Sequence, residues 1–455
     1  MYGKIKKIHF VGIGGIGMSG IAEVLNNMGY EISGSDLSKS STTERLNNIG
    51  VKISIGHSSD NVLGTDVVVT SSAIKEDNPE VISAKDNNIP VIPRAEMLAE
   101  LMRLKYGIAV IGSHGKTTTT SLVSSVLRKG NFDPTIVVGG KVKTLGSNAH
   151  LGKGDFMVVE ADESDGSFQR LSPVITVLTN IDNEHLDHYE NIDNLIAAFS
   201  DFIEKIPFYG MAVLCIDCPR VRELASKSNK RFITYGFNKD ADLYLESLEP
   251  QGFNTKFNVI YKGKELGAVV LNVPGKHNAL NSLAAIAIGI EMGMKFEEIA
   301  GGLKEFGGID RRLQLKGEVN DVLIIDDYGH HPAEIKTTLE SIEEAFSKKP
   351  IVIFQPHRFT RTNMLFNEFV EVLSKVENLY VLDIYPAGEK PINGITSRKL
   401  VDEIIKSGNS GARYICDKKE LFEKVKNSVS SGDIILTSGA GNVWMHGEEL
   451  LRELQ

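Results

Sequence analysis

The stretch KIHFVGIGGIGM, residues 7–18, joins a short β-branched and aromatic run directly to a GxGxxG turn. Glycines there let a strand turn sharply into a helix and let the backbone approach a ligand, so that main-chain N–H groups and the helix N-terminus face a diphosphate. The next apolar run, YEISGSD, ends at Asp36, 19 residues beyond Gly17, where an acidic side chain would meet a ribose hydroxyl. A strand, glycine turn, helix and strand in this order build a parallel α/β layer. The pattern identifies a nucleotide carrying a diphosphate, not which one, and a nicotinamide dinucleotide would satisfy it too.

Outward from this unit, β-branched runs alternate with amphipathic stretches almost throughout. One break falls near Arg94–Tyr106, where AEMLAELMRL gives way to the strand GIAVIG, and a second at GGIDRRLQ, residues 307–314. They divide the chain into three α/β domains, 1–105, 106–312 and 313–455, the outer two Rossmann-like and the middle one P-loop ATPase-like. Within the middle domain, residues 241–272 alternate as a few antiparallel strands would. The expected helices of the last domain include 332–346 and 360–375.

The second glycine turn, Gly112-Ser113-His114-Gly115-Lys116-Thr117-Thr118, again lies between a strand and a helix. Gly115 lets the loop wrap phosphates, Lys116 reaches the β and γ oxygens, and the Thr117 hydroxyl binds Mg²⁺. Val110 stands where the usual loop has its first glycine, so this loop is a shortened one for ATP. The following strand ends in FMVVEADESDGSF, where Glu160 closes the apolar run beside the phosphates and Asp162, Glu163 and Asp165 line the loop. TNIDNEHLDHY brings His185 and His188 to the same edge; without further ligands zinc is disfavoured, and one histidine with Glu160 could hold a second divalent ion. In GKHNALNSL, Asn278 and Asn281 follow His277 at a helix start, one suited to capping and the other to reading an adenine edge. Asp326-Asp327-Tyr328-Gly329-His330-His331 and Gln355-Pro356-His357-Arg358-Phe359-Thr360-Arg361 close two successive strands. Arg358 and Arg361, three apart at a helix start, suit a small carboxylate.

The chain has 455 residues, 42% of them hydrophobic and 24% charged, which excludes disordered and collagen-like proteins. With 50 basic against 59 acidic residues the net charge is −9, so phosphate-driven nucleic-acid binding is not expected. Cys215, Cys218 and Cys416 are too few for a disulfide scaffold, and the CxxC pair, in a strand that runs into a turn, reads as packing. The longest charge-free apolar stretch, Asn278–Ile290, is shorter than a membrane span, and no cleavage site follows the N-terminal apolar run, so the expected location is cytoplasmic.

Taken in order, GIGGIGMSGIA, GSHGKTTTT, EADESDGSF, GKHNALN, DDYGHHPAEI and FQPHRFTRT resemble the Mur ligases, ATP-dependent enzymes that add amino acids to the peptidoglycan precursor. The resemblance covers the whole chain, and its N-terminal and last two motifs favour the member that adds L-alanine to UDP-N-acetylmuramate. It implies that the first domain binds that sugar nucleotide, with Gly14, Gly15, Ile16, Gly17 and Met18 on the diphosphate and Asp36, Ser71 and Ser72 near the ribose and uracil. Lys116 and Thr117 would hold ATP phosphates and Mg²⁺, and Glu160 and His185 would be the ligands of two magnesium ions. It also implies adenine-side contacts from His277, Asn278 and Asn281, with Arg312 and Asp327 on the phosphates and ribose. His330, Arg358 and Arg361 would form the L-alanine pocket. Members that add later residues use a carbamylated lysine after the EH segment; between Ile192 and Glu204 this chain has none. The implied reaction passes through an acyl phosphate, with the third domain swinging in to exclude water. The runner-up is a related ligase that attaches a recycled tripeptide to the same sugar nucleotide.

Overall fold

The computed structural model describes residues 5–71, 73–142 and 147–454, without the side chains of 186 and 187. The chain forms three sheets, each flanked by helices. The first contains β1 (Lys7–Val11), β2 (Glu31–Asp36), β3 (Lys52–Ile55), β4 (Val67–Thr70) and β5 (Val91–Pro93), in the order β3-β2-β1-β4-β5. All its pairings are parallel, and β1 is central and almost wholly buried, as a continuous apolar run requires. The order reverses beside β1, so the crevice past its carboxyl end is a topological switch point.

The second sheet is built from β6 (Tyr106–Ile111), β7 (Thr135–Val142), β8 (Ser147–His150), β9 (Phe156–Glu160), β10 (Ile175–Leu178), β11 (Met211–Cys215), β12 (Phe232–Gly236), β13 (Leu243–Gln251), β14 (Asn254–Tyr261) and β15 (Lys264–Leu271). Its order is β15-β14-β13-β12-β11-β10-β6-β9-β7-β8, with β6 between β10 and β9 in parallel register. The alternating stretch after residue 241 extends one edge of this sheet, and its two-residue turns, 252–253 and 262–263, make β13 to β15 antiparallel. The third sheet holds β16 (Gln314–Val319), β17 (Val322–Asp327), β18 (Ile351–Phe354), β19 (Asn378–Val381), β20 (Ala412–Tyr414) and β21 (Ile434–Ser438), ordered β16-β17-β21-β18-β19-β20.

The chain divides into two compact units. One comprises Met1–Leu248, Phe257–Val270 and Asn278–Gly307, and the other Glu249–Lys256, Leu271–His277 and Gly308–Gln455. In the first, a single apolar core runs from Ile8, Phe10 and Ile21 through Met97 and Leu101 to Ile111, Val159, Phe168 and Phe199. The first two sheets therefore share packing. In the second unit, apolar clusters on both faces of the third sheet bury its central strands.

Two local expectations change. The helix placed at 360–375 is two helices, Phe359–Met364 and Phe366–Leu373, broken at Leu365. The CxxC turn runs straight from β11 into the helix Pro219–Lys227, with Cys218 as its N-cap. Cys215 is buried, which pushes its thiol up to about 12 and leaves it an inert packing group.

The first glycine turn depends on β2 having no side chain at Gly34. A Cβ there would lie 2.5 Å from Ile13 Cδ1 and 2.8 Å from Phe10 O. Gly34→Ala should lower stability by about 1–3 kcal/mol in urea denaturation; an unchanged midpoint would show that the turn tolerates displacement.

Candidate active site

β6 delivers its carboxyl end to Gly112, whose φ of +125° and whose contact with Thr179 and Asn180 leave no room for a Cβ. The loop is then fastened to the end of β10. His114 N donates to Asn180 Oδ1 at 2.8 Å, Thr179 Oγ1 donates to His114 O at 2.7 Å, and Asp182 N donates to Ser113 Oγ at 2.9 Å. Gly115, at φ +80°, caps the helix Lys116–Lys129; a Cβ there would come within 2.9 Å of Asn281 Oδ1. Asn278 and Asn281 are buried on the helix Lys276–Glu291. Thr118 lies in the first turn after the loop, where helix N–H groups are unpaired and attract anions.

Lys116 turns back over this loop. Its Nζ donates to Gly112 O at 2.6 Å, Ser113 O at 3.0 Å and Glu163 Oε1 at 2.7 Å. Burial works against the ammonium, yet Glu163, Glu160 and Glu184 hold its pKa above the ordinary lysine value. Glu163 is 1% exposed; burial pushes its carboxyl up while Lys116 pulls it back. Its second oxygen is buried with no hydrogen-bond partner among the described residues. His185, at φ +57°, places Nε2 3.6 Å from Glu163 Oε1. Glu163, Glu184 and His185 bring one ligand atom each to within 4.8 Å of one another.

Glu160 occupies the other side of the loop. It accepts from Thr117 Oγ1 at 2.9 Å and from Gly139 N at 2.6 Å. The sequence joined His185 with Glu160; the structure groups His185 with Glu163 and Glu184 and sets Glu160 on Thr117. Two carboxylates, Glu163 with an oxygen that has no hydrogen-bond partner among the described residues and Glu184, offer the hard oxygen donors that a divalent cation such as Mg²⁺ takes, with the His185 imidazole a softer third donor.

At the first turn, Gly12 N and Ile13 N donate to Ser35 O at 2.9 and 3.0 Å, and Gly14 N donates to Asp36 Oδ2 at 2.8 Å. Asp36 thus closes the turn. Gly15 precedes the helix Ile16–Asn27, Ile16 is half exposed and Met18 is buried. A Cβ on Gly17 would press Arg94 Nη1 at 2.7 Å, so a guanidinium that the motif did not announce lies beside the turn. Arg94 donates to Asp162 Oδ2 at 3.0 Å. Burial works against the Asp162 carboxylate, but Ser164 and Arg94 hold its pKa below the ordinary value. Ser71 Oγ sits 3.3 Å from where a Gly12 Cβ would be, and Ser72 lies outside the described residues.

In the second unit, Asp327 accepts from Leu313 N at 2.9 Å, Gly329 N at 2.8 Å and Thr338 Oγ1 at 3.0 Å. It thereby braces the turn that presents His330. Arg311 bonds Asp326 and the carbonyls of Ala440 and Gly441, while Arg312 lies 5.5 Å from the Tyr328 ring centre and reaches Glu334 at 3.4 Å. Burial, with Arg312 and Lys276 nearby, lowers His277 to about 4. Burial also lowers His330 to about 4, aided by Arg361 and Arg312 against Glu334. His330 Nδ1 lies 3.1 Å from Tyr328 O, so this nitrogen carries the proton and Nε2 the lone pair. Arg361 Nη1 is 3.3 Å from His357 Nδ1, and Arg358, at φ +71°, donates its backbone N–H to Tyr385 O at 2.8 Å.

Three family models match in succession: Mur ligase family, catalytic domain (residues 7–106), Mur ligase middle domain (110–289) and Mur ligase, glutamate ligase domain (311–441). The chain is 54% identical, over 100% of its length and 99% of the relative's, to a UDP-N-acetylmuramate–L-alanine ligase of Geotalea daltonii. It is likewise 54% identical to the ligase of that name from Geobacter sulfurreducens, with the same coverage. Among solved structures, the UDP-N-acetylmuramate–alanine ligase MurC of Thermotoga maritima superposes with a TM-score of 0.85 at 30% identity, covering 98% of each chain. The fold is thus the three-domain α/β fold of that protein.

Lys116 and Glu163 form a buried pair in which each justifies the other. Lys116→Met should cost about 3 kcal/mol in the nucleotide-free protein, because it strands the Glu163 carboxyl. The double variant Lys116→Met/Glu163→Leu should regain most of that in chemical denaturation, and strictly additive losses would contradict the coupling.

Proposed function

This chain belongs to the Mur ligase family, and from that premise we propose that it joins L-alanine to the lactyl carboxylate of UDP-N-acetylmuramate, converting ATP to ADP and phosphate. The reaction is a step of peptidoglycan precursor synthesis. The observation that carries the chemistry is the Lys116 ammonium, held at the end of a glycine loop among three carboxylates. It supports a site where two anions are brought together. We assign 1–105 to the sugar nucleotide, 106–312 to ATP and 313–455 to the amino acid.

In the first step a lactyl carboxylate oxygen attacks the γ-phosphorus and the bond to the β-phosphate oxygen breaks, giving an acyl phosphate and ADP. Lys116 offsets the charge of the incoming carboxylate and the phosphoryl oxygens. Backbone N–H groups of Gly115–Thr118, at the helix N-terminus, orient the triphosphate. Mg²⁺, when bound, supplies further charge neutralisation between these anions. Thr117 with Glu160, and His185 with Glu163 and Glu184, are the groups that would hold it. In the second step the free amine of L-alanine attacks the acyl carbon and phosphate leaves. Arg358 and Arg361 pair with the alanine carboxylate, and the neutral His330 offers Nε2 to the amine proton. His277, Asn278 and Asn281 are assigned to the adenine side, and Arg312 and Asp327 to the phosphates and ribose. Gly14 to Met18, with Arg94 beside them, take the UDP diphosphate; Asp36, Ser71 and Ser72 are assigned to its ribose and uracil. Among the described residues no helix is long and apolar enough to cross a membrane. We place this ATP-consuming reaction in the cytoplasm.

With UDP-N-acetylmuramate, ATP and Mg²⁺ present, ADP release should depend on L-alanine; release with the murein tripeptide and not with alanine would assign the chain to the recycling reaction instead. Lys116→Ala should abolish ligation while leaving UDP-N-acetylmuramate binding largely intact, and normal turnover would remove this loop from the chemistry. Arg358→Ala should raise the KM for L-alanine by about tenfold or more with little change for ATP, the loss of one charge-assisted contact. The reverse pattern would displace the amino-acid pocket.

A further inference from the structure

A buried acid lies behind the first glycine turn. Glu80, on the helix Pro79–Asp86, is 0% exposed and has contacts on three successive segments of the first sheet. Ser35 Oγ donates to Glu80 Oε2 at 2.5 Å, His57 Nδ1 lies 3.2 Å from the same oxygen, and Asn61 Nδ2 donates to Oε1 at 2.5 Å. Ser58 N adds a longer bond at 3.4 Å. His9, held by Ser33 through Nδ1, turns its buried Nε2 toward Glu80 Oε1 at 3.7 Å, and that nitrogen has no hydrogen-bond partner among the described residues.

Packing alone does not call for an ionised carboxylate here, since an apolar side chain of similar volume would fill the space without desolvating a charge. The partners of Glu80 show what it orders. Ser35 is the residue whose carbonyl accepts both Gly12 N and Ile13 N, and its neighbour Asp36 accepts Gly14 N. Fixing Ser35 therefore fixes the strand end on which the turn is folded. His57 follows β3, whose last residue, Ile55, is in register with Asp36. With Nδ1 engaged by Glu80 and Ser35, its ring is oriented by that contact, and its side chain retains 12% exposure at the carboxyl edge of the sheet. Burial opposes the charge on Glu80, but His9, Ser35 and Asn61 hold its carboxyl down to about 2, so the anion persists at neutral pH.

We propose that Glu80 is a positioning residue for the sugar nucleotide, acting through Ser35 on the Gly12–Gly14 amides and through His57 on the rim of the same crevice. The inference rests on the assignment of this turn to UDP-N-acetylmuramate. Glu80→Gln keeps the shape of the side chain and removes its charge. Calorimetric titration of the full chain should show UDP-N-acetylmuramate binding weakened about tenfold or more, as expected for losing hydrogen bonds to a charged group. ATP affinity should stay within about twofold, because the second loop is built on other strands. In turnover, the KM for the sugar nucleotide should rise while those for ATP and L-alanine hold. Ser35→Ala, which keeps the charge and cuts its link to the turn, should give the same selective loss and serves if Glu80→Gln does not fold. Unchanged UDP-N-acetylmuramate affinity in a folded variant, or an equal loss for ATP, overturns the proposal. Wild-type protein that fails to bind UDP-N-acetylmuramate at all overturns the assignment of the turn, and this inference with it.

Discussion

A lysine ammonium cannot be carried into the end of a sheet without an anion to meet it, and around Lys116 this requirement organises everything within reach. The cation must stand where a phosphate chain will lie, so it cannot be neutralised by a fixed, inseparable neighbour. Glu163 meets both conditions. It is buried enough to need Lys116, and it has an oxygen left unsatisfied. The glycines on either side follow from the same geometry: Gly112 brings the loop against the end of β10, and Gly115 turns it into the helix. The surrounding acids, Glu160 on Thr117 and Glu184 beside His185, then supply hard oxygen donors next to a cation and a helix N-terminus. A reaction between two anions needs positive charge in its crevice; Lys116 supplies one, and these acids are the donors that would hold another.

The first sheet solves a related problem without a lysine in its turn. There the amides of Gly12 and Ile13 are tied to Ser35 and that of Gly14 to Asp36, so the turn is set by the strand beside it. Its cation comes from Arg94, at the start of the helix that leads into the second sheet, and Arg94 is paired with Asp162 in the acidic loop after β9. Asn148, on β8, donates to Ile16 O at 2.5 Å. The two glycine turns are thus carried by one packed body.

Much of this was legible in the amino-acid sequence because glycine turns between strands and helices have few alternatives. The runs ending at Val11, Asp36, Ile111, Glu160 and Asp327 are strands, as their β-branched and apolar character indicates, and three of them end in an acid. What escaped is the choice among like residues. EADESD offers four carboxylates within a few positions, and only the folded loop selects Glu163 for burial against Lys116. Glu80 and Arg94 sit in unremarkable helical sequence, and nothing local marks them, since their partners are dozens of residues away. In GGIDRRLQ both arginines look equivalent, yet Arg311 is spent on Asp326 and the carbonyls near Gly441 while Arg312 reaches Glu334. The CxxC turn misled for the opposite reason: Pro219 reads as a stop, but proline is well tolerated in the first turn of a helix.

The most direct test is a crystal structure of the protein with UDP-N-acetylmuramate and a non-hydrolysable ATP analogue bound together. The account predicts the UDP diphosphate against the Gly14–Met18 turn at the N-terminus of its helix, the triphosphate on the 112–118 loop, and Lys116 Nζ moved from Glu163 to the γ-phosphate oxygens. A redox coenzyme accepted at the first turn in place of the sugar nucleotide, or Lys116 still paired with Glu163 and remote from the phosphates, would contradict it.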